Sequence, residues 1–202
     1  EQGVTALKEA VSGVVTENMV FVQGNHDSAI GTAGMSQSGN NDPASDKYGV
    51  FVINEDDYMW QSSGDGRGRV KSTAQNLINY MNQKIEDKYN KPIFVLSHVP
   101  LHYSMRTKND GDGMHANYIF DVLNQAAKQG LNIIFLYGHD HNNGWDDYLG
   151  GSSVYLAKGD QILIAQNSKT EFKQETLAFT YMNAGYVGYY GEENSGVDAT
   201  LT

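Results

Sequence analysis

Cysteine is absent from this 202-residue chain, which removes disulfides, thiolate metal sites and cysteine nucleophiles together. Any metal chemistry falls to His, Asp, Asn and Glu. No run approaches ~18 consecutive apolar residues, so no transmembrane helix is expected. Basic residues are few, 14 Lys+Arg against 24 Asp+Glu, for a formal net charge of −10. That deficit argues against a general nucleic-acid binder and against an anionic membrane surface, both repelled at long range. A phosphorylated small molecule stays compatible, because bound divalent ions reverse the local sign. The opening Glu1-Gln2-Gly3 is neither an initiator Met nor a signal peptide, and the expectation is a fragment or a processed product. Plentiful Asn, Gly, Tyr and Ser without cysteine is a flavour of secreted or cell-surface bacterial proteins.

What is present suffices for one core: 40% of residues are hydrophobic, at a length natural for a single domain. No internal repeat or linker interrupts it, so 1–202 is read as one domain with 191–202 as a polar tail. Val4–Val15 has the loose spacing of the end of a helix. Met19–Gln23 is a short apolar run stopped by Gly24, the pattern of a buried strand. Ser28–Lys47 turns to Gly, Ser, Asn, Asp and Thr with almost no periodicity, and reads either as a lid over the site or as a disordered stretch. Tyr48–Asn54 is the next strand, and Ser62–Arg69 a Gly-rich turn or hairpin tip. Thr73–Tyr89 is a helix with Leu77, Ile78, Tyr80, Met81 and Ile85 on one stripe. Ile93–Leu96 is a strand running into Ser97-His98. Asn117–Gln129 is a second helix closed by Gly130, and Leu131–Tyr137 a strand ending at Gly138-His139. Beyond lies a β region: Ser153–Ala157 and Gln161–Gln166 about a Lys158-Gly159-Asp160 hairpin turn, then one strand over Glu175–Asn183. The strand–helix–strand order predicts an α/β sheet with helices on its face.

Three polar motifs each follow an apolar strand: Gly24-Asn25-His26-Asp27, Ser97-His98, and Gly138-His139-Asp140-His141. Neighbouring strands lie only ~5 Å apart, so their ends converge, and the carboxyl edge of an open α/β sheet is where ligands bind. Neutral imidazoles are common ligands for divalent metals, and the i, i+2 pair His139/His141 can face two adjacent ions. The amide oxygen of Asn25 is a harder donor, suited to Mn, Fe or Mg. With no thiolate available, the chemistry points to Lewis-acid hydrolysis rather than structural zinc.

The order GNHD, a strand ending in SH, and a strand ending in GHxH resembles the last three motifs of the calcineurin-like metallophosphoesterases. Lys91–Tyr103 (KPIFVLSHVPLHY) and Asn183-Ala184-Gly185-Tyr186 are similar to that family too, so the resemblance spans roughly Met19 to Tyr190. It implies an α/β/β/α sandwich of mixed sheets flanked by helices, with two divalent metal ions of the Mn, Fe, Zn or Mg class at its edge. By that analogy Asn25, His98 and His139 bind one ion and His141 the other. His26 stands beside the substrate to protonate the leaving oxygen or to stabilise the phosphorane-like charge, with Asp27 orienting its ring. Apart from the analogy, His102, four residues after His98, is a candidate to line the substrate pocket and equally reads as an ordinary surface histidine. The implied activity is that of a hydrolase, a metal-dependent phosphatase or phosphodiesterase.

The family's opening Asp-x-His and Gly-Asp-x-x-Asp motifs have no counterpart here. No Asp-x-His triplet occurs, Gly159-Asp160 is the turn of a hairpin, and Gly64-Asp65 and Gly111-Asp112 lie in loops with no apolar strand before them. The expectation is an incomplete C-terminal portion that by itself binds metal weakly or not at all, with sheet edges and an apolar face open to self-association. The rival from another class is a catalytically inactive binding module at a cell surface. Set against the site reading, Asn25-His26-Asp27 also suits a simple turn and His98 a buried strand-end histidine. His115, Asp56, Asp57, Asp110 and Asp112 read as solvated loop residues. Tyr137 suits core packing, while Trp145 and Tyr148 are candidates to stack on a substrate.

Overall fold

A computed structural model of the chain describes residues 19–25, 35–58, 66–139 and 155–184. Among them run the strands β1 (Gly39–Asn40), β2 (Gly49–Ile53), β3 (Ile93–Ser97), β4 (Ile133–Tyr137), β5 (Tyr155–Leu156), β6 (Gln161–Ala165), β7 (Phe172–Thr176) and β8 (Thr180–Asn183). The helices are α1 (Glu55–Tyr58), α2 (Gly66–Glu86), α3 (Met105–Asp110) and α4 (Ala116–Lys128). The architecture is mixed α/β: a six-stranded mixed sheet in the order β1-β2-β3-β4-β8-β5, and a separate antiparallel pair β6-β7.

β2, β3, β4 and β8 are parallel neighbours, and the two-residue strands β1 and β5 run antiparallel at the edges. Each step from β2 to β3 to β4 crosses through a helix and moves the same way along the sheet. Right-handed crossovers therefore bring α2 and α4 to one face, where Lys71 of α2 lies 5.2 Å from the Tyr118 ring of α4. Val70, Ala74, Leu77 and Met81 on α2, and Ile119, Phe120, Leu123, Ala126 and Ala127 on α4, are buried at helical spacing. Opposite them stands the register row Phe51, Val95, Phe135 and Tyr181. Phe51 packs on Tyr80 of α2 at 5.3 Å, and Phe135 stacks on Tyr181 at 5.5 Å. Side chains of this kind contribute about 1.5–3 kcal/mol each when fully buried. The alternate residues Phe94, Leu96, Ile134, Leu136 and Met182 share the other face and are half-buried.

Several sequence expectations need correction. Met19–Gln23 forms no strand. Its backbone is satisfied off-ladder, with Phe21 N–H donating to Ser36 Oγ and Gln23 N–H to Asn54 Oδ1, so side chains take the place of a neighbouring strand. Gly66–Arg69 is the first turn of α2, not a hairpin tip. Residues 155–166 do not fold back as a hairpin. β5 pairs with β8 and β6 with β7, so the Lys158-Gly159-Asp160 turn carries the chain from one sheet to the other, with Gly159 at φ +101°. The strand read over Glu175–Asn183 is two, because the buried Leu177 and Phe179 turn a corner between β7 and β8. The described part of the Ser28–Lys47 loop includes β1, docked on β2. Val4–Val15, the 191–202 tail, Trp145 and Tyr148 lie outside the described residues.

Candidate metal centre

Three strand ends build the site. Segment 21–25 is tied to the end of β2 by Asn54, whose Oδ1 accepts from Gln23 N–H (2.9 Å) and whose Nδ2 donates to Ser36 O (2.8 Å). Glu55 N–H adds a bond to Gln23 O at 3.2 Å. This clamp delivers Gly24 and Asn25 to the carboxyl edge of the sheet.

His98 follows β3. Ser97 Oγ accepts from Val99 N–H and donates to Val99 O (3.2 and 2.9 Å), closing a tight turn around His98. The His98 ring packs closely against Gly24, where an added Cβ would meet its Cε1 and Nδ1 at 2.9 Å. Glycine is required there for space. The chain beyond is pinned by Tyr58, whose hydroxyl donates to Pro100 O at 2.8 Å, and by the Tyr103 N–H bond to Leu163 O at 2.7 Å on β6.

His139 follows β4, one strand over, and Gly138 N–H donates to His98 O at 3.1 Å. His139 is 4% exposed and holds φ at +67°, a left-handed conformation that a non-glycine residue adopts at a cost of order 1–3 kcal/mol. Such strain persists where the surrounding structure enforces it.

The donor atoms meet. His98 Nε2 is 3.0 Å from Asn25 Oδ1 and 3.1 Å from His139 Nδ1, and the two rings meet edge-on at 4.9 Å. Two ligand atoms about 2.1 Å from one small divalent ion, in cis octahedral positions, stand about 3.0 Å apart. One hard oxygen and two imidazole nitrogens at this spacing fit a borderline divalent ion. No group of three or more His, Cys, Asp or Glu side chains among the described residues is placed to hold an ion; the candidate set is two imidazoles and an amide.

On the far side of the His139 ring, Nε2 lies 3.0 Å from Asp112 Oδ2. Read from sequence as a solvated loop charge, Asp112 has a side chain only 15% exposed, against 2% for His139. α3 ends at Gly111 (φ +91°), and Gly113 (φ +76°) follows with Pro100 O close to where its Cβ would stand. Two left-handed glycines thus turn Asp112 inward. The Gly111-Asp112-Gly113 triplet was the available signal, hidden because no strand precedes it. Asn54 was missed likewise, being read as the last residue of a strand.

His102 is not at the site mouth. It is fully buried, edge-on to the rings of Tyr137 and Tyr181, and its Nδ1 lies 2.7 Å from Tyr181 Oη. Burial holds the Tyr181 hydroxyl well above the ordinary phenol range, so it stays protonated and donates to His102 while accepting from Leu101 N–H at 2.9 Å. Expected from sequence as a candidate to line a substrate pocket, His102 is placed by the structure in this core position. His115 is buried rather than solvated, with Nδ1 3.1 Å from Asn167 Oδ1. Asp56 and Asp57 lie in α1, half-buried, bonded to Gln23 and Ser38 respectively. Tyr137 packs in the core, stacked on Tyr181. His26, Asp27 and His141 lie outside the described residues. No protein-family model and no curated protein matches the chain.

Proposed function

We propose that this chain carries part of the metal centre of a metal-dependent phosphoric ester hydrolase of the calcineurin-like class, a phosphatase or phosphodiesterase. One observation carries the reading: His98 Nε2 lies 3.0 Å from Asn25 Oδ1 and 3.1 Å from His139 Nδ1, at the carboxyl edge of the sheet beyond β2, β3 and β4. These residues would hold one divalent ion, and His141, two positions beyond His139, would serve a second. Such ions supply Lewis acidity and neutralise phosphoryl charge.

The chain's own residues do the rest. The strand ends hold the three donors in fixed directions, so little reorganisation is needed when a ligand arrives. His26 sits next to Asn25 in sequence, and in this proposal its ring nitrogen gives a proton to the departing ester oxygen while Asp27 orients it. With a net charge of −10, an anionic ester is drawn in only where cations are bound, so phosphate affinity depends on metal loading. The proposal extends to an α/β/β/α sandwich as the full architecture, and to self-association. Because both described edges, β1 and β5, are two residues long, association involves the apolar sheet face more than the edges. No described helix is long and apolar enough to cross a membrane.

The test is Mn(II) or Co(II) binding by calorimetry, with hydrolysis of p-nitrophenyl phosphate and its bis ester measured in parallel. Asn25→Ala, His98→Ala and His139→Ala are each expected to abolish or sharply weaken binding. Binding that survives all three substitutions would remove the reading.

A further inference from the structure

We infer that Asp112 is the positioning residue of the centre, fixing the tautomer of His139 so that Nδ1 presents its lone pair to the cluster. The inference rests on the proposed metal site but concerns a group outside it.

An ionised carboxylate only accepts hydrogen bonds. With Oδ2 at 3.0 Å from His139 Nε2, the hydrogen of the neutral ring belongs on Nε2, which leaves Nδ1 as the bare nitrogen. Nδ1 is the atom 3.1 Å from His98 Nε2. His98 Nε2–H then faces two acceptors, Nδ1 of His139 and Oδ1 of Asn25. Without an ion, one proton occupies the place where three donors converge. The opposite tautomer of His139 would set two N–H groups against each other and leave the carboxylate facing a lone pair.

The geometry is built rather than incidental. Asp112 is held between the left-handed Gly111 and Gly113, and behind it α3 is fixed by a capping box in which Ser104 and Thr107 bond each other's backbone. The His139 ring is nearly sealed between Asp112 and His98, so it has no room to turn over. A carboxylate behind an imidazole ligand raises its basicity and orients the ring, and removing such a partner typically costs about 10- to 100-fold in metal affinity.

The test needs no turnover. Long-range 15N–1H NMR of the ion-free 202-residue chain reports the hydrogen position on each imidazole, with His139 assigned by the signals lost in His139→Gln. Wild type is expected to show His139 protonated at Nε2. Asp112→Ala should give a mixture including the Nδ1–H form, and should weaken Co(II) binding, read from its visible spectrum, by about 10- to 100-fold. Asp112→Asn keeps a carbonyl acceptor and should restore the Nε2–H form and most of the affinity, which a purely structural role would not require. An Nδ1–H ring in wild type would overturn the inference, and so would an Asp112→Ala variant, folded by circular dichroism, with unchanged tautomer and affinity. A wild-type ring fixed at Nε2–H in a chain that binds no Co(II) would uphold the role of Asp112 and show that the three described donors do not hold an ion by themselves.

Discussion

Two glycines that look alike in sequence differ sharply in what surrounds them. A methyl group on Gly24 would collide with the His98 ring at 2.9 Å, whereas one on Gly138 would meet the same ring at 3.7 Å, an ordinary contact. Gly24→Ala is therefore expected to push His98 off its position and weaken Co(II) binding by at least about tenfold, the scale of a displaced ligand shell. Gly138→Ala should leave binding close to wild type. Equal effects from the two substitutions, in the same spectral titration, would mean that the His98 position does not matter to the ion. His102 supplies the complementary case. Its ring fills space between Tyr137 and Tyr181 and bonds the Tyr181 hydroxyl. His102→Ala leaves a cavity and should cost about 2–4 kcal/mol, seen in urea unfolding, with metal affinity unchanged. A loss of affinity without a loss of stability would return His102 to the site.

At the scale of elements, the edge strand β1 and helix α2 are joined through Asp42. Its Oδ1 accepts from Val50 N–H and from the Tyr80 hydroxyl, both at 2.7 Å, and its Oδ2 from Lys84 Nζ at 2.6 Å. Burial and the adjoining carboxylate push the Tyr80 phenol far above its ordinary range, so it remains a donor. Asp42→Ala leaves three donors facing a void and should cost about 1–3 kcal/mol, lowering Tm by about 2–4 °C for each kcal/mol in a domain of this size. A thermal scan indistinguishable from wild type would make the clasp ornamental. None of this was readable from the loop's Gly, Ser, Asn and Asp, because the partners are 38 and 42 residues away. What sequence did carry was local periodicity. Gly49–Ile53, Ile93–Leu96 and Ile133–Tyr137 are continuous apolar runs, α2 and α4 have helical stripes, and the observed elements fall on them within a few residues except at the start of α2, seven residues earlier than read. The start of α2 was hidden by Gly66 and Gly68, which favour turns. The pairing of β5 and β6 with different partners was hidden because the turn chemistry of Lys158-Gly159-Asp160 serves a sheet-to-sheet passage as well as a hairpin. The same distinction holds at the site. His98 and His139 were legible since each follows its own strand, and Asn25 since it closes an apolar run that is held at the end of β2 without forming a strand, while Asp112 was not, since only the fold brings a loop between two helices against the end of β4.

For the whole molecule, the unequal faces of the six-stranded sheet matter most. One face is closed by α2 and α4, while Phe94, Leu96, Ile134, Leu136 and Met182 on the other are only half-buried. Adjacent parallel strands put Leu96 beside Leu136 and Phe94 beside Ile134, so these half-buried side chains are contiguous, and the proposed self-association would use them. Against it stands a net charge of −10, which repels a second copy at low ionic strength. Salt shortens the reach of that repulsion to about 8 Å near physiological strength and leaves apolar burial intact. Association should therefore grow with both protein concentration and salt in sedimentation velocity, the reverse of a complex held by ion pairs. Leu96→Thr with Leu136→Thr keeps residues that suit a strand and removes apolar area from the middle of the patch. That pair of changes should shift the chain toward monomer with little change in Tm. A wild-type chain that stays monomeric across concentration and salt would show that this face is not an interface between copies. Association that weakens as salt is added would move the contact to charged groups elsewhere on the surface.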